Sequence, residues 1–168
     1  MMKRIFVCFA LCALFLSALC TGALAKGAEE GEFSYYIDEE AGVAKIAAYI
    51  GESEHVVVPS HTLEGYPVVG IGSSSFSVRT FIKTITLPDT ITYIEADAFS
   101  SCDSLTSINI PDGITTIEAE TFWGCDLLSS IDLPDSVTSI GEAAFYASGL
   151  VTIDGNSEGT AYGVPIIP

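Results

Sequence analysis

From Val68 onward the chain repeats itself every 23 residues, and no other feature limits its folding so tightly. Ile71, Ile94, Ile117 and Ile140 fall at one place in the repeat, and Phe76, Phe99, Phe122 and Phe145 at another. Ile85, Ile108 and Ile131 form a third series, followed two residues later by Leu87, Ile110 and Leu133 and then by Pro88-Asp89, Pro111-Asp112 and Pro134-Asp135. Four rungs therefore begin at Val68, Ile91, Ile114 and Val137, and a one-residue deletion near Gly149 brings Ile153 into the isoleucine series. Self-similarity at a period of 20–29 residues marks a solenoid.

One such rung has too little apolar surface to form its own core, so each isoleucine and phenylalanine must lie on its counterpart in the next rung. Segments such as Leu105–Ile110 end in alternation of apolar and polar residues, which predicts a half-buried strand. A Pro-Asp turn follows, with proline presetting φ and aspartate expected to bond its own backbone. Stacked at roughly 4.8 Å, the strands would make a parallel sheet along one side, with four rungs spanning on the order of 15–20 Å.

Residues 33–67 precede the repeat and read as an N-terminal β capping unit. Two strands joined by an acidic turn at Gly42 cover FSYYIDEEAGVAKIAAYIG, and a third strand ends at Pro59. Such a unit would shield the open edge of the first rung. Residues 26–32 are expected to be a linker and residues 156–168 a C-terminal closing segment, leaving 68–155 for the four rungs.

The N-terminus begins MMKR, continues through the apolar run IFVCFALCALFLSALC, and reaches Ala23-Leu24-Ala25. This is the plan of a secretory signal peptide cleaved after Ala25. The run is about 16 residues, short of the roughly 20 that span a bilayer. Without this segment, four cationic side chains (Lys26, Lys45, Arg79 and Lys83) stand against 22 carboxylates, a formal charge of −18. Nucleic acid and anionic lipid would be repelled, so neither is expected as a partner.

The pattern Ile-Gly/Glu-x-x-Ala/Thr-Phe-x-x-Cys-x-x-Leu-x-x-Ile-x-Leu-Pro-Asp resembles the BspA-like leucine-rich repeats of bacterial secreted and surface proteins. YIGESEHVVVPSHTLEGYPVVGIGSSSF is similar to the segment those proteins place before their first repeat. The resemblance covers roughly residues 35–155. It implies a curved solenoid outside the cell with roles in adhesion or protein binding, and it does not imply catalysis. The expectation is a mainly β leucine-rich-repeat solenoid acting as a non-catalytic binding module for a protein or glycan, with no cofactor. Arg79 and Ser148 depart from the pattern by replacing its cysteine in the outer rungs, and Ser75 by standing before Phe76. A second expectation is a structural or truncated module of a larger surface array.

Several residue groups suggest chemistry. Gly155–Gly159 fits G-x-S-x-G, but no histidine follows it and no strand-turn-helix context surrounds it, as a nucleophile elbow requires. His55 and His61 are the only histidines and read as surface residues with no third metal ligand. Cys102 and Cys125 share a column. Its spacing is compatible with a disulfide, and inward packing as small apolar groups is the favoured expectation. Asp89, Asp112 and Asp135 form one carboxylate series and Glu95 and Glu118 another. A weakly held Ca²⁺ is the alternative, but no spacing matches a dedicated loop, turn chemistry explains the aspartates, and no metal site is expected.

Two groups remain as ligand-binding candidates. Trp123 and Tyr146 occupy a variable column where earlier rungs have Ser77 and Ser100, and exposed aromatics are favoured interface anchors. The outward side of the strand sheet carries Thr84, Ser107, Ser130 and Thr152 in one row and Thr86, Asn109, Asp132 and Asp154 in another, a set able to hydrogen-bond a peptide or glycan.

Overall fold

The computed structural model describes residues 25–150, so the segment 1–24, Thr152, Ile153, Asp154, the Gly155–Gly159 motif and the closing segment lie outside the described residues. Ten short strands and no helix make up the described part. They are β1 (Ala25–Glu30), β2 (Phe33–Asp38), β3 (Val43–Tyr49), β4 (His55–Val57), β5 (Val68–Ile71), β6 (Thr84–Thr86), β7 (Tyr93–Ile94), β8 (Ser107–Ile108), β9 (Thr116–Ile117) and β10 (Ser139–Ile140). The solenoid is mainly β, as expected, but carries two parallel ladders where one sheet was predicted. One joins β3, β5 and β7 and is continued by the pair β9 and β10; the other joins β4, β6 and β8. Each rung therefore has two flat sides, held by the paired columns Ile71–Ile94 and Ile85–Ile108.

Aromatic rings occupy the corner between the two ladders. Phe76, Phe99, Phe122 and Phe145 stack at centroid distances of 5.2, 5.4 and 5.4 Å, the last two pairs nearly parallel at 11° and 3°. The column also continues into the cap, where Tyr49 stacks on Phe76 at 5.5 Å and Phe33 meets Tyr49 at 5.4 Å. Tyr49 is tyrosine where the rungs have phenylalanine, and its hydroxyl has a partner, the Ser53 amide at 2.9 Å. The capping unit is thus a rung in its own right. Its β3 and β4 each pair in parallel with the first full rung.

A second column serves the first. The Sγ–H of Cys102 donates to the Phe76 carbonyl at 3.2 Å, and that of Cys125 to the Phe99 carbonyl at 3.3 Å. Both thiols are free and buried, and burial pushes each up to about 12, so they remain protonated donors. Arg79, at the same place one rung earlier, donates Nε and Nη2 to the Tyr49 carbonyl at 3.1 and 2.7 Å. The cysteine position thus caps the carbonyl of the aromatic one rung below, and Arg79 does the same by a longer reach. Ser148 turns back to its own rung, bonding the Phe145 carbonyl at 2.8 Å.

The corners are strained in register. Ser74, Asp97, Glu120 and Ala143 form one column at φ between 53° and 58°, and Val78, Ser101, Gly124 and Ala147 a second at φ between 54° and 68°. A left-handed non-glycine residue costs roughly 1–2 kcal/mol. Here the conformation turns amides along the stacking axis: Val78, Ser101 and Gly124 donate to the carbonyls of Ser100, Trp123 and Tyr146. Asp97 and Glu120 likewise donate to Ala119 and Glu142. Rung-to-rung bonds offset the local strain.

The Pro-Asp turns close through the backbone, with the amides of Ile91, Ile114 and Val137 donating to Pro88, Pro111 and Pro134. The aspartates after each proline are exposed, so the expected closure by their side chains is replaced by an i to i+3 bond. A second correction concerns residues 26–32. Ala25–Glu30 is a strand paired antiparallel with β2, not a linker. Gly31, at φ 62°, takes the left-handed seat that two-residue hairpin turns favour. The Glu30 carboxylate accepts the Leu63 amide at 2.6 Å, tying the strand's end to the body. KGAEEGE has no apolar alternation because its pairing is carried by backbone.

Two stability outcomes follow. Phe122→Ala, in the middle of the column, should lower the urea-unfolding free energy by about 3–5 kcal/mol, while Leu63→Ala at an exposed site should stay within about 0.5 kcal/mol. Ser75 Oγ is buried without a hydrogen-bond partner, in a column where later rungs have Ala98, Thr121 and Ala144. The Thr121 hydroxyl, unlike that of Ser75, donates to the Glu118 carbonyl at 2.7 Å. Ser75→Ala should therefore raise the same free energy by about 1 kcal/mol, and a loss of stability would contradict this account.

Candidate functional site

The outward face of the β4–β6–β8 ladder carries the predicted polar rows. Thr84 and Ser107 are directly paired across it, and Ser107, Thr86, Ser130 and Asp132 are exposed. The cap extends both rows in a way the repeat spacing does not show, because the step from β4 to β6 is longer than one period. His55 pairs with Thr84 and Val57 with Thr86. His55 Nδ1 lies 2.9 Å from Thr84 Oγ1, so that hydroxyl is engaged. Val57 is 70% exposed. Asn109 has a different occupation: its Oδ1 accepts the Leu87 amide at 2.8 Å and its Nδ2 donates to the Leu87 carbonyl at 2.9 Å. That side chain completes the ladder between rungs.

Trp123 and Tyr146 lie one rung apart on the corner segment between the ladders, separated from the hydroxyl rows by the turn that buries Cys125 and Leu128. They are 38% and 59% exposed. The Gly124 amide donates to the Tyr146 carbonyl at 2.9 Å, which fixes the two backbones in register. Among the described residues the two rings do not stack, so each offers a separate surface.

A third feature was not visible in the sequence. On the outward face of the other ladder, Tyr36, Lys45, Gly70 and Tyr93 fall in one cross-strand row, each paired with the next. A Cβ on Gly70 would lie only 2.1 Å from Tyr93 Cζ. The Tyr93 ring therefore covers the bare backbone of Gly70 and leans toward Lys45. On the other side, Lys45 Nζ sits 5.5 Å from the centre of the Tyr36 ring, a cation–π distance. Tyr36, Asp38, Val43, Ala44, Lys45 and Tyr93 line a shallow hollow of about 550 Å³. The row was hidden because the step from Lys45 to Gly70 does not match the repeat period. The one readable sign was a glycine followed one rung later by a tyrosine, in a column continued by Thr116 and Ser139.

Charge in this row is matched internally. Lys45 Nζ bonds Glu95 Oε1 at 2.6 Å, and Glu95 Oε2 accepts the Ser73 amide at 2.8 Å. The Glu95 hydrogen bond holds the Lys45 ammonium above its ordinary range against the opposing effect of burial. Burial alone would raise the Glu95 carboxyl, but the Lys45 bond, the Ser73 amide and the lysine charge together hold it below 4.5. Burial raises the Tyr93 phenol, with Lys45 opposing and Glu95 and Asp38 reinforcing. At the far end of the other ladder Lys83 pairs with Glu54 at 2.6 Å in the open.

A carboxyl held low stabilises the fold above its unfolded value and loses that contribution as pH falls through its native value. Glu95→Gln should therefore be less stable than the parent at pH 7 by about 0.5–1 kcal/mol, a figure discounted for the pair's partial exposure. The gap should narrow from pH 4.5 downward. Parallel thermal melts of both proteins from pH 3 to 7 test this, and a gap that does not change with pH would rule it out.

Comparison with known proteins gives the same architecture. A family model described as the BspA type leucine rich repeat region matches residues 59–163 in six copies, two more than the four rungs counted from Val68. A leucine-rich repeat protein from Bacteroides ovatus is 31% identical with a TM-score of 0.66, over 74% of this chain and 36% of that one. One from Bacteroides capillosus is 27% identical with a TM-score of 0.67, over 76% of this chain and 96% of that one. The T. pallidum leucine rich repeat protein is 26% identical with a TM-score of 0.63, over 76% and 71%. The chain thus spans about a third of the B. ovatus protein and most of the other two. No protein with a curated description matches it.

Proposed function

This chain belongs to the BspA-type leucine-rich repeat family, and we propose that it works outside the cell as a non-catalytic binding module for a protein or glycan. The observation that carries this reading is the exposure of large aromatic side chains on a rigid repeating frame. Trp123 and Tyr146 stand out of a corner whose backbone is pinned rung to rung. Such side chains lose little entropy on binding and give much contact area. The segment ahead of Lys26, with its basic start, apolar run and A-x-A site, supports export.

The titrating groups support a role without acid–base chemistry. Perturbed groups in a cleft are the usual mark of a catalytic site. Here Tyr35, Cys102 and Cys125 are pushed up to about 12 chiefly by burial, and Lys45, Glu95 and Glu54 are shifted largely by their own ion pairs. Tyr93, which lines the hollow with Lys45, is raised by burial. These groups serve the core or fix surface strands. A second reading, a repeat segment that lengthens a larger surface array, is favoured by the 36% share of the B. ovatus protein that the chain covers.

The two readings separate on a combined array of extracellular matrix proteins and glycans, probed with the purified chain and with a Trp123→Ala/Tyr146→Ala variant. A binding module anchored at these rings should retain a ligand that the double variant binds at least about 10-fold more weakly. Equal binding by both proteins would remove the aromatic pair from the site. Silence across the array would favour the array-segment reading.

A further inference from the structure

Building on the reading of the chain as a binding module, we propose that the hollow flanked by Tyr36 and Tyr93 takes a neutral saccharide, whose ring lies against the tyrosine faces above Lys45. The hollow is shallow and open, about 550 Å³, and like small-ligand sites it sets apolar walls beside a few placed polar groups. Its walls are two half-exposed tyrosines, Tyr36 at 51% and Tyr93 at 40%. Each has an apolar ring face and a polar tip.

Charge decides which ligand fits. An anion would meet a lysine already bonded to Glu95 at 2.6 Å, with Asp38 also lining the hollow. The chain's net charge of −16 adds long-range repulsion. A cation would be repelled by the Lys45 ammonium, which lies 5.5 Å from the centre of the Tyr36 ring. What remains is an uncharged molecule with one apolar face and several hydroxyls, which describes a pyranose. Lys45 spends one of its N–H donors on Glu95 and keeps the others for a ligand. Asp38 Oδ1 accepts the amides of Glu40 and Ala41, so its other oxygen is the acceptor available to a hydroxyl. The Tyr93 hydroxyl adds a group that both donates and accepts.

Gly70 makes the site. Its missing side chain is the seat of the Tyr93 ring, and a methyl group there displaces that ring and its hydroxyl while leaving Lys45 and Asp38 in place. Gly70 is not in the left-handed region, so alanine fits its backbone.

The test is saturation-transfer NMR on the purified full chain with neutral gluco-, manno- and galacto-oligosaccharides at millimolar concentration. Sialylated and sulfated oligosaccharides and a tripeptide mixture serve as comparison probes. At least one neutral oligosaccharide should bind, and Tyr36→Ala, Tyr93→Ala and Gly70→Ala should each weaken it by about 10-fold or more, with Leu63→Ala unchanged. Should an alanine variant fail to fold by circular dichroism, Tyr93→Phe decides. It keeps the ring face and loses the hydroxyl, so binding should weaken by a smaller factor. The proposal is overturned if no neutral oligosaccharide binds, if only charged sugars or peptides bind, or if the variants bind as the parent does. A protein ligand captured on the array with no saccharide signal would overturn this inference and leave the binding-module reading intact.

Discussion

Stacking of equivalent aromatic rings along the corner is the interaction on which the rest of this structure depends. The column runs from Phe33 through Tyr49 to Phe145 with every centroid step between 5.2 and 5.5 Å. Steps that close leave no room for a rung to slip or tilt independently. They also crowd backbone carbonyls beside buried rings, where an unsatisfied acceptor is costly. The column of Cys102, Cys125 and Arg79 answers that requirement. The left-handed corners on either side answer another, since they aim amides at the neighbouring rung. Packing, hydrogen bonding and local strain are three responses to one geometry.

The repeat itself was legible because its determinants are local and periodic. Phe99, Phe122 and the paired isoleucine columns sit where the 23-residue spacing puts them, and the family follows from the same columns. What escaped reading was off the period. Tyr49 and Phe33 extend the ring column from positions that no fixed ruler laid back from Phe76 reaches. β1 has no apolar alternation, because its pairing is made by the backbone and a glycine turn. The second ladder was hidden in strands of two residues, too short to show alternation. Asn109 read as a surface acceptor and donor. Its use within the ladder depends on the Leu87 backbone one rung away.

The same contrast holds for the candidate sites. Trp123 and Tyr146 were visible because they break a column. Tyr36, Lys45 and Tyr93 were not, because their meeting depends on how the cap docks onto the first rung. The two ladders also divide the surface chemically. One outward face carries hydroxyls with a histidine and a valine at its end. The other carries tyrosines around a lysine whose charge is met by Glu95. A frame of this kind can vary either face without disturbing its core, since successive strand residues point to opposite sides.

Because Phe99 and Phe122 present the same ring, the same thiol donor and the same left-handed corners above and below, a rung is interchangeable with its neighbour. Duplication or loss of one 23-residue stretch of coding sequence would splice a new floor into the building, or remove one, with every joint still matching. Copy number is therefore the dimension along which relatives of this chain can diverge in size while the cross-section stays constant.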